Sequence, residues 1–407
     1  RTPPWPDFPT SKSDADCMER LLTYCAAAIE SNEATLAQQI LWVLNNIAPA
    51  DGDSNQRLAW GFLRALISRA VKSGNSKLLT AVADVLGDGV EAAIRRNHRF
   101  SIMELAGFVD LTPWHRFGFT AANAAVIEAV EGYPVIHIVD LSSTHCMQIP
   151  TLIDDIATRM AHSPPSLIKL TVAARTGGEI PPLRDFSYDE LGWKLTNFAR
   201  IRNLTLEFRP VPCTHSDGFS SLIHRLQIQP RDHRREALVL NCHMTLHCIP
   251  ECLRDAFLRS ARSLNPRAVV VVEEDVDLSS ADLVQRVRSA YNYLWIQYDS
   301  METVVWRQRE WVEAEIWWKI ENVVAQEGWG RVERAEAKGR WVQRMRKAGY
   351  GSVRFGEATV EEVKGMLEEH AAGWGLKREE ENEEQGIHHL VLTWKGHNVL
   401  FASAWAP

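Results

Sequence analysis

The stretch Val135-Ile136-His137-Ile138-Val139-Asp140-Leu141-Ser142-Ser143-Thr144 decides the fold of this chain. Its first five residues are apolar or β-branched except for His137, and the run ends at Asp140 and a hydroxyl-rich turn. A continuous apolar run with such boundaries is typical of a strand buried on both faces of a sheet. Apolar residues then recur at helical spacing, at Leu152, Ile153, Ile156 and Met160. A strand, a turn and a helix predict the start of a doubly wound α/β sheet, in which ligands bind at the carboxyl ends of the strands.

The segments that follow alternate between strand and helix patterns. Apolar strands are predicted at 167–172, 203–208, 236–241 and 267–274, with helices between them at 187–200, 219–227 and 250–263. This alternation predicts right-handed crossovers and a mainly parallel sheet. Two last strands, at 390–394 and 399–405, flank a short polar turn and predict an antiparallel hairpin. The fold class is therefore predicted to be α/β, with a Rossmann-like, methyltransferase-type sheet of five parallel strands plus a C-terminal antiparallel hairpin.

The remaining segments are mostly helical by pattern, and they predict an added α-helical cap. Asp14 or Asp16 is expected to cap the first helix. A second helical region is dense in tryptophan, which we interpret as packing residues. An acidic run at 377–385 predicts a solvated loop. The predicted organisation is a flexible tail at 1–14, a helical cap at 15–112, an α/β core at 113–274, a helical insertion into the cap at 275–330, and the C-terminal part of the core at 331–407.

Composition narrows the possible functions. The 407 residues carry a net charge of −7, which argues against a protein that coats nucleic acid nonspecifically, although a local basic groove stays open. The sequence has no apolar run of membrane-spanning length. Seven cysteines without a regular spacing predict reduced thiols in an intracellular protein. The Pro-rich start without Met suggests a piece of a longer protein.

A methyltransferase cofactor site can be tested against the residues. Such a site needs glycines after the first strand and an acid at the end of the second strand. The chain has no glycine between Asp140 and Gly177, and no acid between Val172 and Glu179. The sequence therefore predicts the fold without the S-adenosylmethionine site and without a cofactor. Asp140 is expected to cap the turn through backbone N–H groups of 142–144, with ligand contact as the alternative.

The sequence argues against two further kinds of site, a zinc site and a catalytic site. Thiol and imidazole groups crowd into eleven residues and could suit zinc: Cys242, His243, His247, Cys248 and Cys252. However, 238–242 has the pattern of a strand, so the helical spacing of the two histidines is not expected, and we predict no metal site. The sequence contains neither a Gly-x-Ser-x-Gly motif nor a phosphate loop, so no catalytic residue is predicted. His137 is expected to be a core histidine with one backbone partner.

Several motifs occur in an order that resembles one known family. The signature Ile136, His137, Ile138, Val139 and Asp140 resembles the VHIID motif of the plant GRAS family of transcriptional regulators. Further matches are the leucine-rich block at 21–26, the element at 113–117, Leu264-Asn265-Pro266, the RVER-like element at 331–336 and the closing Ser403-Ala404-Trp405. The resemblance covers nearly the whole chain. The segments 114–119 and 142–144 are most similar to the SHORT-ROOT and SCARECROW-like branch.

The resemblance implies a nuclear regulator of transcription, with the cytoplasm as a second location, that acts through protein–protein interaction and without catalysis. It implies other GRAS proteins as partners in homo- or heterodimers, zinc-finger transcription factors, and DNA contacted directly or through partners. The N-terminal helices are the expected interface, with Leu36, Ile40, Trp42 and Leu44 as candidate contact residues. Two alternatives stay open: a small-molecule methyltransferase or ligand receptor that uses the cofactor cleft, and a direct sequence-specific DNA binder.

Overall fold

The computed structural model of the protein describes residues 12–86, 98–176, 180–302, 306–381 and 387–407. The helices are α1 Lys12–Glu30, α2 Ala34–Ile47, α3 Ser54–Lys72, α4 Ser76–Leu86, α5 Ile102–Asp110, α6 Pro113–Val130, α7 Ile149–Arg159, α8 Tyr188–Ile201, α9 Ser220–Ile228, α10 Glu251–Ser263, α11 Leu283–Met301, α12 Trp306–Ala325, α13 Lys338–Lys347 and α14 Glu357–Glu368. The strands are β1 Arg99–Phe100, β2 Val135–Asp140, β3 Leu167–Arg175, β4 Leu183–Arg184, β5 Leu206–Cys213, β6 Glu236–His243, β7 Ala268–Glu274, β8 Gly351–Val353, β9 Trp374–Glu381, β10 Ile387–Trp394 and β11 His397–Ala406.

The chain divides into two compact units. The helical unit comprises residues 1–96, 277–303 and 313–333, and the sheet unit comprises 97–276, 304–312 and 334–407. The helical unit draws on both segments that the sequence assigns to a cap, whereas α5 belongs to the sheet unit. In the described part of the chain, no helix combines the length and the apolar composition that crossing a bilayer requires.

The sheet unit is built around one large mixed sheet. Its strand order is β5-β3-β2-β6-β7-β11-β10-β9, with β8 also paired to β11. Strands β5, β3, β2, β6 and β7 are parallel, whereas β11 lies antiparallel to β7 and pairs with β10. The predicted five parallel strands and closing hairpin are thereby confirmed. An antiparallel strand inserted beside the fifth parallel strand gives the sheet its methyltransferase-type topology.

Helices cover both faces of this sheet, as a parallel sheet with buried faces requires. One layer contains α6, α7, α8 and α14, and the other contains α9, α10 and α13. Helix α6 approaches the sheet so closely that a Cβ at Gly118 would lie 2.5 Å from Cε1 of His243. This approach explains the small residues that the sequence places along α6, because larger side chains would push the helix off the sheet.

Three local predictions are wrong. The acidic run was expected to be a loop, but its first residues form β9 and pair with β10. The closing turn is only Lys395-Gly396, with φ of 46° and 84°, so His397 already belongs to β11. A two-residue turn with positive φ at both positions matches the right-handed twist of the flanking strands. Helix α1 begins at Lys12, upstream of both residues expected to cap it.

The helical unit consists of α1 to α4, α11 and the C-terminal part of α12. A buried ion pair within this unit joins Arg57 Nε to Glu313 Oε1 at 2.9 Å. Two tryptophans of the unit make contacts within it, as expected, whereas Trp329 is 74% exposed and is not the packing residue that the sequence predicted. Trp295 donates a hydrogen bond from Nε1 to Asn55, and Trp317 packs against Trp60 with ring centroids 4.8 Å apart.

Candidate functional site

The signature strand β2 is held by side-chain hydrogen bonds to both neighbouring strands. His137 lies 3.0 Å from Glu236 on β6 through Nδ1 and 2.8 Å from Thr171 on β3 through Nε2. The predicted backbone partner of His137 is therefore wrong. Burial raises the pKa of Glu236, but hydrogen bonds and charge from His137 and Lys169 outweigh it and leave a pKa of about 2. A carboxylate thus binds the imidazole from the adjacent strand, which gives this histidine a structural role in the sheet.

Asp140, at the end of β2, is completely enclosed. Its Oδ2 accepts hydrogen bonds from Ser142 Oγ at 2.7 Å and from Cys146 Sγ at 3.2 Å, and its Oδ1 accepts one from Asn241 Nδ2 at 2.7 Å. Burial raises the pKa of this carboxyl, while these hydrogen bonds and the backbone N–H of Ser142 oppose the rise. The sequence predicted the backbone N–H groups of 142–144 as donors, whereas side chains supply most of these hydrogen bonds and the N–H of Ser143 donates to the carbonyl oxygen of His243 at 2.9 Å.

Hydrogen bonds between side-chain amides connect the loop after β2 to helix α6. Asn241 also donates to Gln148 Oε1 at 2.9 Å, and Gln148 in turn donates to Asn123 Oδ1 on α6 at 2.9 Å. All residues from 141 to 148 are buried, and His145 and Cys146 adopt positive φ without being glycine. Side chains therefore occupy the space beside this loop. In a dinucleotide or S-adenosylmethionine site, glycines keep that space open so that the ligand can approach the backbone.

The residues considered for zinc lie in different local structures. His243 ends β6, where its Nε2 lies 3.1 Å from Nδ1 of His115. His247 lies in a short 3-10 helix, with its Nδ1 2.7 Å from Glu273. Cys242 and Cys248 are buried, whereas Cys252 is exposed on α10. The two histidines therefore do not share a helix face, as expected from the strand pattern before them.

The candidate partner-binding residues of α2 fall into two groups. Ile40 and Leu44 are buried within the helical unit. They cannot present a contact surface in this conformation, because the apolar stripe on which they lie packs against the other helices of the unit. Leu36 and Trp42 are exposed, at 42% and 61%. The contact role of Ile40 and Leu44 is thus corrected, and only Leu36 and Trp42 remain surface candidates.

The exposed face of α2 has an unusual composition. Val43 is also exposed there, and the fourteen residues of the helix include no charged side chain. Solvent-exposed helix faces normally carry charged residues, whereas the centres of protein interfaces are depleted in them and enriched in aromatic residues. This face, which we call the α2 face and define by Leu36, Gln39, Trp42, Val43 and Asn46, therefore has the composition of a contact surface.

A group of polar residues at the carboxyl edge of the sheet was not recognised from the sequence. His145 lies 3.3 Å from Oη of Tyr188, and the guanidinium of Arg184 lies 4.4 Å from the centre of the Tyr188 ring. Arg175 ends β3, where a cofactor site would carry a ribose-binding acid. Its Nη2 donates to the carbonyl oxygen of Ser142 at 3.1 Å. The absence of an acid after the second strand is a sequence feature at this position, but by itself it does not predict this group.

Comparison with known proteins agrees with the signature motifs. The sequence profile of the GRAS domain family matches residues 18–406. Scarecrow-like protein 32 of Arabidopsis thaliana is 57% identical over 98% of this chain and 97% of its own length. Protein SHORT-ROOT of the same plant is 31% identical over 100% of this chain and 76% of its own length.

A solved structure shows the same fold. The crystal structure of SCL7 from Oryza sativa has a TM-score of 0.73 with this chain at 24% identity, and the match covers 95% of this chain and 99% of the other. The predicted resemblance, including its Scarecrow-like and SHORT-ROOT branch, is confirmed by the family match and by these relatives. The chain belongs to the GRAS domain family of plant regulatory proteins.

Proposed function

We propose that this chain is a nuclear, non-catalytic regulator of transcription that acts mainly by binding other proteins. The proposed partners are another GRAS protein, in a homo- or heterodimer, and zinc-finger transcription factors, with DNA contacted directly or through them. The α2 face is the observation that carries the proposal. Its exposed tryptophan and its lack of charge match the centre of an interface, where a few aromatic anchors supply most of the binding energy.

The geometry after β2 supports a role without cofactor chemistry. A methyltransferase needs space next to the backbone at this loop, and here the loop is occupied by buried side chains that bind one another. Asp140 uses both carboxylate oxygens on protein groups, so a ligand would have to displace existing hydrogen bonds. Replacing such buried contacts leaves polar groups unsatisfied, at a cost of about 1–3 kcal/mol each. The loop after β2 is therefore better suited to stabilising the sheet than to binding a cofactor.

Titration of the protein with S-adenosylmethionine or its demethylated product is expected to give no saturable heat in a calorimeter. The physical reason is the filled loop after β2, together with the arginine at the end of β3 where the ribose hydroxyls would need an acid. Micromolar affinity for either compound would contradict the proposal and would support the methyltransferase alternative.

Replacing Trp42 with glutamate is expected to weaken association while the monomer stays folded. A buried aromatic anchor contributes about 2 kcal/mol or more, so the dissociation constant should rise by roughly thirtyfold. Light scattering coupled to size exclusion, on the chain alone and mixed with a SHORT-ROOT or Scarecrow-like partner, measures the association. Circular dichroism checks the fold, because an exposed side chain can change without disrupting the unit.

Trp329→Glu is the matched control for that experiment. Trp329 belongs to the same unit and is 74% exposed, and the substitution introduces the same charge. It should leave association unchanged. Equal association of the Trp42 variant and the wild type would place the interface elsewhere, with the Trp-rich helices at 295–318 as the next candidates. Unfolding of the Trp42 variant would instead show that this side chain supports the unit.

A further inference from the structure

We propose that Arg175 and Arg184 form a binding site for a small phosphate- or carboxylate-bearing anion at the carboxyl edge of the parallel sheet. Arg175 is the last residue of β3, and its Nη2 is anchored on the carbonyl oxygen of Ser142 in the loop after β2. The carboxyl ends of the strands form the crevice in which doubly wound sheets bind their ligands. The two arginines thus occupy the position of a ligand site although the cofactor loop itself is filled.

The second arginine is fixed in orientation by its own contacts. The guanidinium of Arg184 lies over the ring of Tyr188 at 4.4 Å and donates to the carbonyl oxygen of Phe186. The two-residue pairing of β1 with β4 fixes the backbone of Arg184. In addition, Arg99 donates to the carbonyl oxygen of Arg184 at 3.3 Å. A guanidinium that is already oriented loses less conformational entropy when it binds an anion.

In the part of the chain that the structure describes, the contacts of these two arginines do not include an acidic side chain. Among the residues whose positions are described, no carboxylate forms an ion pair with Arg175 or Arg184, and their contacts are to carbonyl oxygens and an aromatic ring. Elsewhere in the same unit, Arg254 and Arg344 both bind Glu336. A guanidinium has five N–H donors, so each of the two arginines keeps donors for a ligand. Planar pairs of N–H groups match the geometry of carboxylate and phosphate oxygens.

Neutral groups complete the site. His145 lies between the carbonyl oxygen of Pro182, 3.1 Å from Nε2, and Oη of Tyr188, 3.3 Å from Nδ1. Burial, and then the charge of Arg175, lowers the pKa of His145 to about 3, so the ring is neutral near pH 7. Since a carbonyl oxygen only accepts, Nε2 carries the proton and Nδ1 accepts from the tyrosine. An anion would therefore meet the positive charge of guanidinium groups here and not that of an imidazolium.

The test is a calorimetric titration with inorganic phosphate and, separately, acetate, with potassium chloride holding the ionic strength constant. We expect saturable binding to the wild-type chain, and the tighter of the two anions identifies the ligand class. Arg175→Gln and Arg184→Gln should each weaken binding by about tenfold or more, since each removes charge-assisted hydrogen bonds. Arg202→Gln is the matched control, because Arg202 is exposed and pairs with Asp154 at 2.8 Å. It should bind like the wild type.

A second readout separates anion binding from a loss of fold. A bound anion favours the imidazolium form, so the pKa of His145 should rise when phosphate is added, which NMR titration of the ring detects. No saturable binding of either anion to the wild type, or equal weakening in Arg202→Gln, would overturn the proposal. Binding to duplex DNA without binding to free phosphate would assign the arginines to a nucleic-acid backbone instead.

Discussion

Trp405→Ala is expected to lower the free energy of unfolding by about 3–5 kcal/mol, the usual cost of truncating a buried tryptophan. Trp405 is 1% exposed on β11, a strand that pairs with β7, β8 and β10. Its Nε1 donates to Ser403 Oγ at 2.9 Å, so the change leaves a cavity and removes a buried hydrogen bond. Because typical domains are stable by only 5–15 kcal/mol, the loss should be visible in expression yield and in urea unfolding followed by circular dichroism.

Trp193→Ala provides the control for this prediction. Trp193 lies on α8 in the same unit and is 68% exposed, so its truncation should change stability by no more than about 0.5 kcal/mol. If Trp405→Ala kept the urea midpoint of the wild type, the closing strands would not be an integral part of the sheet. Trp394, at the end of β10, is also buried, at 2% exposure.

The parallel strands could be predicted because their apolar patterns are local. The third predicted strand, at 203–208, shows where such reasoning fails: β5 instead runs from Leu206 to Cys213 and contains Pro210 and Pro212. Proline lacks the N–H needed in a central strand, so the pattern ended the strand before these residues. β5 lies at the edge of the sheet, where one side of the strand needs no such donor. Edge position is a property of the whole sheet, which a local pattern does not contain.

The same reason explains the misassigned acidic run. β9 lies at the opposite edge, where charged side chains are tolerated and help prevent pairing with another chain. Its pairing with β10 supplies the backbone hydrogen bonds that the charged sequence alone does not predict.

The sequence predicted where the candidate site residues lie, but not which side chains they contact. The sequence identified Asp140 and His137, but their partners are far along the chain: Asn241 for the aspartate, and Thr171 and Glu236 for the histidine. Likewise, the sequence assigned Ile40 and Trp42 the same contact role, but Trp42 is exposed whereas Ile40, on the apolar stripe of α2, is buried. Periodicity thus separates buried from exposed positions within one helix, whereas polar networks depend on the register of strands that meet only in the folded chain.

Glu336→Gln is expected to reduce the free energy of unfolding by roughly 3–5 kcal/mol, as breaking one half of a buried ion pair usually does. Oε1 of Glu336 lies 3.0 Å from Nη1 of Arg254, and neither side chain has any solvent exposure. Oε2 accepts from Nε of Arg344 at 2.7 Å. Removing the negative charge leaves Arg254 buried among carbonyl oxygens that cannot neutralise it, including those of Ile249 and Arg334.

The pH dependence of this contribution has a definite sign. Burial raises the pKa of Glu336, but the hydrogen bond from Arg344 and the charge of Arg254 outweigh it, so the pKa lies below its ordinary value in the folded chain. A carboxyl with a depressed pKa contributes stability above its unfolded pKa and loses it as the pH falls through the folded value. The difference between wild type and Glu336→Gln should therefore shrink in acid, and urea unfolding at several pH values measures it.

Two further variants distinguish a buried ion pair from a loss of side-chain shape. Glu362→Gln makes the same chemical change in an exposed pair with Arg159, whose N–O distance is 2.7 Å, and should cost no more than about 1 kcal/mol. Replacing Arg254 and Glu336 together with methionine removes both charges and should recover much of the stability lost in Glu336→Gln, because well-packed apolar residues can substitute for a buried pair. The prediction would be contradicted if Glu336→Gln lowered the free energy of unfolding by no more than Glu362→Gln does. That result would mean that water or Asp255 balances the charge of the arginines once the glutamate charge is gone.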